Sequence, residues 1–235
     1  MAEKPEVIFF DVGNTLLFPN WARILAPLTE RGVLPTHEQL RATECKTKGE
    51  FDEMMAGGRR DRGFWRLFYA HLLEELEVSD AKLEDALAAA TTVSMNWDRI
   101  RPGTREALEQ IGGAYRIAVI SNADGKIAEV LQQCGIADCF LSVTDSTVVG
   151  HEKPHPAIFA AAIQSMNTRA ERALYVGDLY SVDYLGARGA GMEAILFDVA
   201  GAYRDKGPLR VESLSELQQM LQAREGKPPG GVTPD

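Results

Sequence analysis

The sequence predicts an α/β fold: a doubly wound, Rossmann-like parallel sheet core with an all-helical cap inserted after its first strand. Three observations carry this expectation. Val7-Ile8-Phe9-Phe10 is an apolar run with no polar face, the pattern of a strand buried on both sides. From residue 101 onward, short apolar runs alternate with helical stretches, as in a parallel sheet with right-handed crossovers. Between the two, residues 18–98 carry only helical periodicity. The expected organisation is a core of residues 1–17 and 99–225, a helical cap of 18–98, and a mobile tail of 226–235 rich in Pro and Gly.

After the first strand, Gly13 and Asn14 turn the chain. Residues 21–30, with Ile24, Leu25 and Leu28 apolar, read as the first cap helix. Thr36-His37-Glu38-Gln39 has the form of a capping box and opens a helix through residue 55, ended by Gly57-Gly58. Phe64, Trp65, Phe68, Leu72, Leu73 and Leu76 form an apolar stripe on a third helix, read as bundle core. Ser79 is expected to cap a fourth helix, with Leu83, Leu87, Ala90 and Val93 on one face.

In the core, a helix over 104–111 is stopped by Gly112-Gly113, and a strand over 116–120 ends in Ser121-Asn122. Asp124 is expected to cap a helix running to 134, with Gly135 at its stop. A short strand over 140–143 follows, and Lys153-Pro154-His155-Pro156 opens a helix to 166. A strand over 173–176 ends in Gly177-Asp178 and leads into a helix to 188. Strands over 194–197 and 210–211 and a helix over 214–221 complete the pattern.

Composition narrows the partners. The 235 residues are 45% hydrophobic and 25% charged, ordinary for a globular chain, with a net charge of −9. That charge argues against nucleic acid and anionic membranes, and an anionic substrate needs a local positive site or a metal ion. The three cysteines, Cys45, Cys134 and Cys139, have no metal-ligand spacing and read as reduced thiols. The polar opening M-A-E-K-P-E lacks the pattern of a signal peptide, and no apolar run reaches the ~18 residues needed to cross a bilayer. A cytoplasmic protein is expected. Oligomeric state has no signal in the sequence.

Four predicted strand ends or loops present polar residues at one edge of the sheet: Asp11, Ser121 with Asn122, Lys153, and Asp178 with Asp183. Open α/β sheets bind ligands beyond the C-terminal ends of their strands. Each residue has an ordinary alternative. Asp11 could cap its turn, Ser121 a helix, Lys153 could be a surface charge, and Asp178 and Asp183 turn and cap residues. Four in order along one edge make a candidate site.

The segments F-F-D-V-G-N-T-L, V-I-S-N, E-K-P-H-P-A-I-F, and V-G-D followed by D-Y-L-G-A-R-G-A-G-M carry a family resemblance. With the helical insert between the first two, the sequence resembles the haloacid dehalogenase-like (HAD) hydrolases over nearly its whole length. The resemblance implies that Asp11 is a nucleophile, attacking phosphorus to give an aspartyl-phosphate that water then hydrolyses. It implies a Mg²⁺ cofactor held by Asp11, Asp178 and the Gly13 carbonyl, with Asp183 in support behind them. Lys153 would pair with the nucleophile and phosphoryl oxygens. Ser121 would hydrogen-bond those oxygens, with Asn122 beside it in binding a small phosphorylated substrate.

One position departs from the pattern. Phosphatases of this family usually carry an acid/base Asp two residues after the nucleophile, and here that residue is Gly13. General acid–base help is worth ~10²–10⁴-fold, so its loss is expected to matter most for poor leaving groups. Three alternatives stay open: a metal-free 2-haloacid dehalogenase, a phosphonatase-like hydrolase, and a protein that binds a phosphate ligand without turnover. The Gly177-Asp178 pair counts against dehalogenation. Phosphonate hydrolysis needs a Schiff-base lysine from the cap, and Lys46 and Lys48 both read as ordinary solvated lysines. His151 and His155 flank Lys153 and read as loop or cap structure, while Asn14 is close to Asp11 but is no proton donor. Trp21, Arg23, Arg59, Arg60 and Trp65 are the cap residues that could line a pocket.

Overall fold

Strand β1 (Val7–Phe10) is wholly buried and pairs in parallel on both sides, with Arg116–Ser121 (β2) and Ala173–Gly177 (β4). A computed structural model describes residues 4–59 and 63–224. Val143–Asp145 (β3), Glu193–Phe197 (β5) and Arg210–Val211 (β6) extend the sheet to the order β3-β2-β1-β4-β5-β6, every pairing parallel. The tail over 226–235 and Arg60 lie outside the described residues.

The missing polar face of β1 has a direct cause. Ile8 and Phe10 point into one apolar layer with Leu108, Leu131 and Leu217, and Phe9 into the other with Ile158, Phe159 and Ala162. Thr104–Gly112 (α6), Ile127–Gln133 (α7) and Leu214–Arg224 (α11) supply the first layer. Pro156–Ser165 (α9) and Leu185–Gly189 (α10) supply the second, and Ser146–Val149 (α8) is a single turn after β3.

The insert holds Trp21–Ile24 (α1), Ala26–Thr29 (α2), His37–Ala56 (α3), Phe64–Glu75 (α4) and Ala81–Thr91 (α5). Ile24, Leu28, Phe68, Leu72 and Leu87 form an apolar cluster among them, as the stripe predicts. The chain leaves and re-enters the core side by side: Phe18 N–H donates to Arg99 C=O at 2.7 Å and Arg99 N–H returns to Phe18 C=O at 3.3 Å. Among the described residues no helix is long and apolar enough to cross a membrane.

Several boundaries differ from the sequence reading. The helix expected over 21–30 breaks at Leu25, because Pro27 in the first turn of α2 has no N–H for the preceding turn. Asp80, not Ser79, caps α5, its carboxylate accepting from Lys82 N–H and Leu83 N–H. Asp124 is not the cap of α7, which starts after Lys126; it also accepts from Ser94 N–H, tying the end of the insert to the core. The third strand begins at Val143, since Phe140 turns inward, edge-on to Phe10 at 6.4 Å. The helix after β4 opens with a π-helical turn, Tyr180–Tyr184.

Candidate active site

Three strands, β1, β2 and β4, deliver groups to the same edge. Asp11 N–H bonds Val176 C=O at 2.8 Å, so the ladder carries the chain one residue past β1 before it turns. Val12 C=O then accepts from Leu16 and Leu17 N–H, and Asn14 takes a left-handed conformation, φ 52°, that Asn tolerates better than most residues. Ser121 ends β2 and is buried there. The Asn122 amide grips Lys153 by its backbone: its oxygen accepts Lys153 N–H at 2.7 Å and its nitrogen donates to Lys153 C=O at 3.0 Å. Asn122 thereby fixes the loop that presents Lys153.

The Lys153 ammonium is the hub. Its three N–H groups are shared among Asp11 Oδ1 at 2.6 Å, Asp183 Oδ1 at 2.8 Å, Tyr175 Oη at 2.7 Å and Ile120 C=O at 3.1 Å. Asp183 is further held by Tyr175 Oη–H at 2.9 Å and by Leu179 N–H at 2.9 Å. Gly177 makes room for it: a Cβ there would stand 2.6 Å from Asp183 Cγ and 2.8 Å from the Tyr175 ring. Asp178, 6% exposed, meets Lys48 Nζ at 2.9 Å through Oδ2. Asp11, Asp178 and Asp183 each offer a carboxylate oxygen, all within 4.8 Å of one another.

Burial sets the electrostatics of this cluster. It pushes Asp11 up to about 6 even though Lys153 pulls the other way, with Asp183 adding to the rise. It pushes Asp178 up to about 7 against the pull of Lys48. Burial also works against the two ammonium groups. Asp11 and Asp183 outweigh it for Lys153, and Asp178 and Glu44 for Lys48, so both are held above the ordinary lysine value. Burial followed by the Asp183 charge keeps Tyr175 a neutral phenol.

The donor set suits a hard divalent cation. Asp11 Oδ2 accepts a long contact from Thr15 Oγ1, at 3.4 Å. Among the described residues, nothing donates to Asp178 Oδ1 or the Gly13 carbonyl. Two carboxylate oxygens and a carbonyl, with the remaining positions left for water and substrate, match the preference of Mg²⁺. Asp183, held by Lys153, Tyr175 and Leu179 N–H, supports Lys153 and the loop 178–184.

Gly13 bears on what else the site can do. A Cβ on Gly13 would touch the Trp97 ring at 3.4–3.7 Å. Trp97 is fixed by an Nε1–H bond to Thr91 C=O at 2.7 Å and packs edge-on against Trp65 at 5.4 Å. His151 and His155 are exposed and stacked on each other at 4.1 Å, and His155 Nδ1 caps α9 by accepting from Ala157 N–H.

The cap contributes a residue the sequence reading misplaced. Lys46 is exposed as expected, beside Glu74. Lys48 is not solvated: it is 1% exposed, between Asp178 and Glu44 Oε1, the latter at 2.8 Å. A signal was present, since Lys48 lies on the helical line of Thr43, Thr47, Phe51 and Met54, all buried, with Glu44 one turn earlier. Farther along α3, Asp52 accepts from Ser181 N–H at 3.0 Å and from Lys206 Nζ at 2.9 Å. Of the other cap candidates, Trp21 stacks on Phe68 and Arg23 pairs with Asp98 at 2.8 Å. Arg59 is exposed.

The chain resembles known proteins over most of its length. Residues 5–191 match the family model described as haloacid dehalogenase-like hydrolase. A glyceraldehyde 3-phosphate phosphatase of Methanothermobacter thermautotrophicus is 30% identical over 231 residues, covering 92% of this chain and 97% of that protein. Haloacid dehalogenase-like hydrolase domain-containing protein 3 of Xenopus laevis is 34% identical, and the match covers 60% of each protein. Among solved structures, YfnB from Bacillus subtilis bound to magnesium aligns with a TM-score of 0.68 at 19% identity, over 93% of this chain and 99% of that one.

Proposed function

Since this chain belongs to the haloacid dehalogenase-like hydrolases, we propose that it is a magnesium-dependent phosphatase working through a phosphorylated Asp11. The observation that carries the reading is the union of Asp11, Asp178 and Asp183 oxygens within 4.8 Å, with Lys153 bridging Asp11 to Asp183. Asp11, Asp178 and the Gly13 carbonyl would hold Mg²⁺, which when bound supplies the charge neutralisation an anionic phosphate needs beside a carboxylate.

The remaining work falls to the chain. Lys153 orients the Asp11 carboxylate and offsets its charge as the phosphoryl group approaches, while Asp183 and Tyr175 hold Lys153 in place. Asp11 forms the new P–O bond, and the ester oxygen departs with the electron pair of the bond it leaves. Ser121, buried at the same edge, would donate to a phosphoryl oxygen. Water then cleaves the acyl phosphate, releasing inorganic phosphate and restoring Asp11. With Gly13 in the acid position and Trp97 against it, the leaving oxygen receives no proton from residue 13, which favours stable leaving groups such as aryl oxides.

The substrate class is a small phosphorylated molecule. Relatives named glyceraldehyde 3-phosphate phosphatase and ribulose-1,5-bisphosphate 5-phosphatase support that class. Purified protein is expected to hydrolyse an aryl phosphate with Mg²⁺ stimulation, and Asp11→Asn to abolish it. Activity that survives Asp11→Asn, or that ignores EDTA, would refute the reading. Metal-free chloride release from 2-chloropropionate would replace it with dehalogenation.

A further inference from the structure

Lys153 accounts for one buried ammonium at the site, and the proposed reaction gives the second no task. Lys48 comes from the cap, and its Nζ lies 2.9 Å from Asp178 Oδ2 and 2.8 Å from Glu44 Oε1. Burying an ammonium costs free energy that only good partners recover. Lys46, on the same helix, keeps its charge in water. The cap therefore places a full positive charge on a carboxylate that is also a candidate metal ligand.

Resting on the magnesium reading above, we propose that Lys48 is a resident counter-cation of Asp178 that competes with the divalent metal, so that the cap sets the affinity of the core's metal site. Oδ1 of Asp178 stays open to a metal, yet ammonium and metal on one carboxylate repel each other in a site with little water to screen them. Glu44, 22% exposed and on Lys48's own helix, gives the ammonium a second anchor once a metal draws on Asp178. Reciprocity follows from linkage: whatever Lys48 subtracts from metal affinity, the metal subtracts from the Lys48–Asp178 contact and so from cap–core attachment. The bonds of Asp52 to Ser181 and Lys206 remain, so the metal loosens the cap without freeing it.

Isothermal titration of the full chain with MgCl₂, without substrate, tests the idea. Lys48→Met is expected to bind Mg²⁺ about tenfold or more tightly than the parent, and Lys48→Arg to stay near it. Glu44→Gln leaves Lys48 wholly on Asp178, so it is expected to weaken Mg²⁺ binding in the parent and to do much less beside Lys48→Met. Hydrogen exchange supplies a second readout: Mg²⁺ is expected to speed exchange over residues 178–184 in the parent and not in Lys48→Met. Equal affinities in parent and Lys48→Met, or an equal effect of Glu44→Gln in both backgrounds, would overturn the competition and leave the magnesium reading standing. Failure of every form to bind Mg²⁺ would overturn both.

Discussion

A Cβ placed on Gly13 would meet the Trp97 indole at 3.4 Å, ordinary van der Waals contact, so the position two residues after the nucleophile is walled by that ring but has room for a side-chain carbon. Trp97 cannot drift aside freely, because its Nε1–H is bonded to Thr91 and its ring is wedged against Trp65. An acid at residue 13 is therefore compatible with Trp97 where it stands. Gly13→Asp is expected to raise alkyl phosphate turnover by about 10²-fold, with a smaller gain on aryl phosphates. Steady-state kinetics on paired alkyl and aryl substrates decide the matter. Equal gains on both would show that residue 13 is not an acid position in this chain.

Lys153→Met tests the hub. The substitution keeps much of the side-chain volume but leaves Asp11 and Asp183 facing each other without the cation between them. The loss of one partner from a buried ionic network is worth about 3–5 kcal/mol of stability. Turnover is expected to fall about 10³-fold or more, since the charge that orients the nucleophile is gone. A variant that melts normally and keeps more than about a tenth of its kcat would remove Lys153 from the reaction.

Asp11 gives the fold a pH dependence of calculable sign. Folding raises its pKa from the ordinary 3.8 to about 6, so the native state holds this proton more tightly than the unfolded chain. The stability so gained is present in full below the unfolded value and is lost as pH rises through about 6. Asp11→Asn does not titrate. In EDTA, it is expected to melt near the parent at about pH 4 and above it at about pH 8. A gap that shrinks with rising pH would reverse the sign and refute the burial argument.

The parts of the site legible in the sequence are those that the backbone alone delivers. Asp11, Ser121 and Asp178 lie at or just beyond strand ends, so recognising β1, β2 and β4 was enough to put them on one edge. Lys153 was located by its motif. Its pairing with Asp183 was not, because a loop's direction depends on contacts such as the Asn122 grip across 31 residues. Lys48 was misread for a related reason. Helical periodicity marks which face is buried but not what lies against it, and here the neighbour is a carboxylate from another part of the chain. Trp97 escaped notice likewise, since an aromatic near the end of a helical insert reads as packing until Gly13 is found beneath it.

Gly177 offers the most economical test of the carboxylate cluster, since it has no side chain of its own in it. The space where its side chain would stand is taken by Asp183 Cγ at 2.6 Å and the Tyr175 ring at 2.8 Å, both closer than real Cβ contacts allow. Neither neighbour can yield cheaply: Asp183 is held by Lys153, Tyr175 and Leu179 N–H, and Tyr175 is wholly buried. Gly177→Ala must therefore displace Asp183, and with it one of the partners that orient Lys153. A stability loss of about 1–3 kcal/mol or more is expected from the overpacking. A drop in kcat with little change in KM is expected as well, because Lys153 is mis-aimed while the rest of the substrate site is intact. Thermal melts and steady-state kinetics on the same preparation separate the two effects. Parent-like values of both would mean that Asp183 is not packed against residue 177 as described.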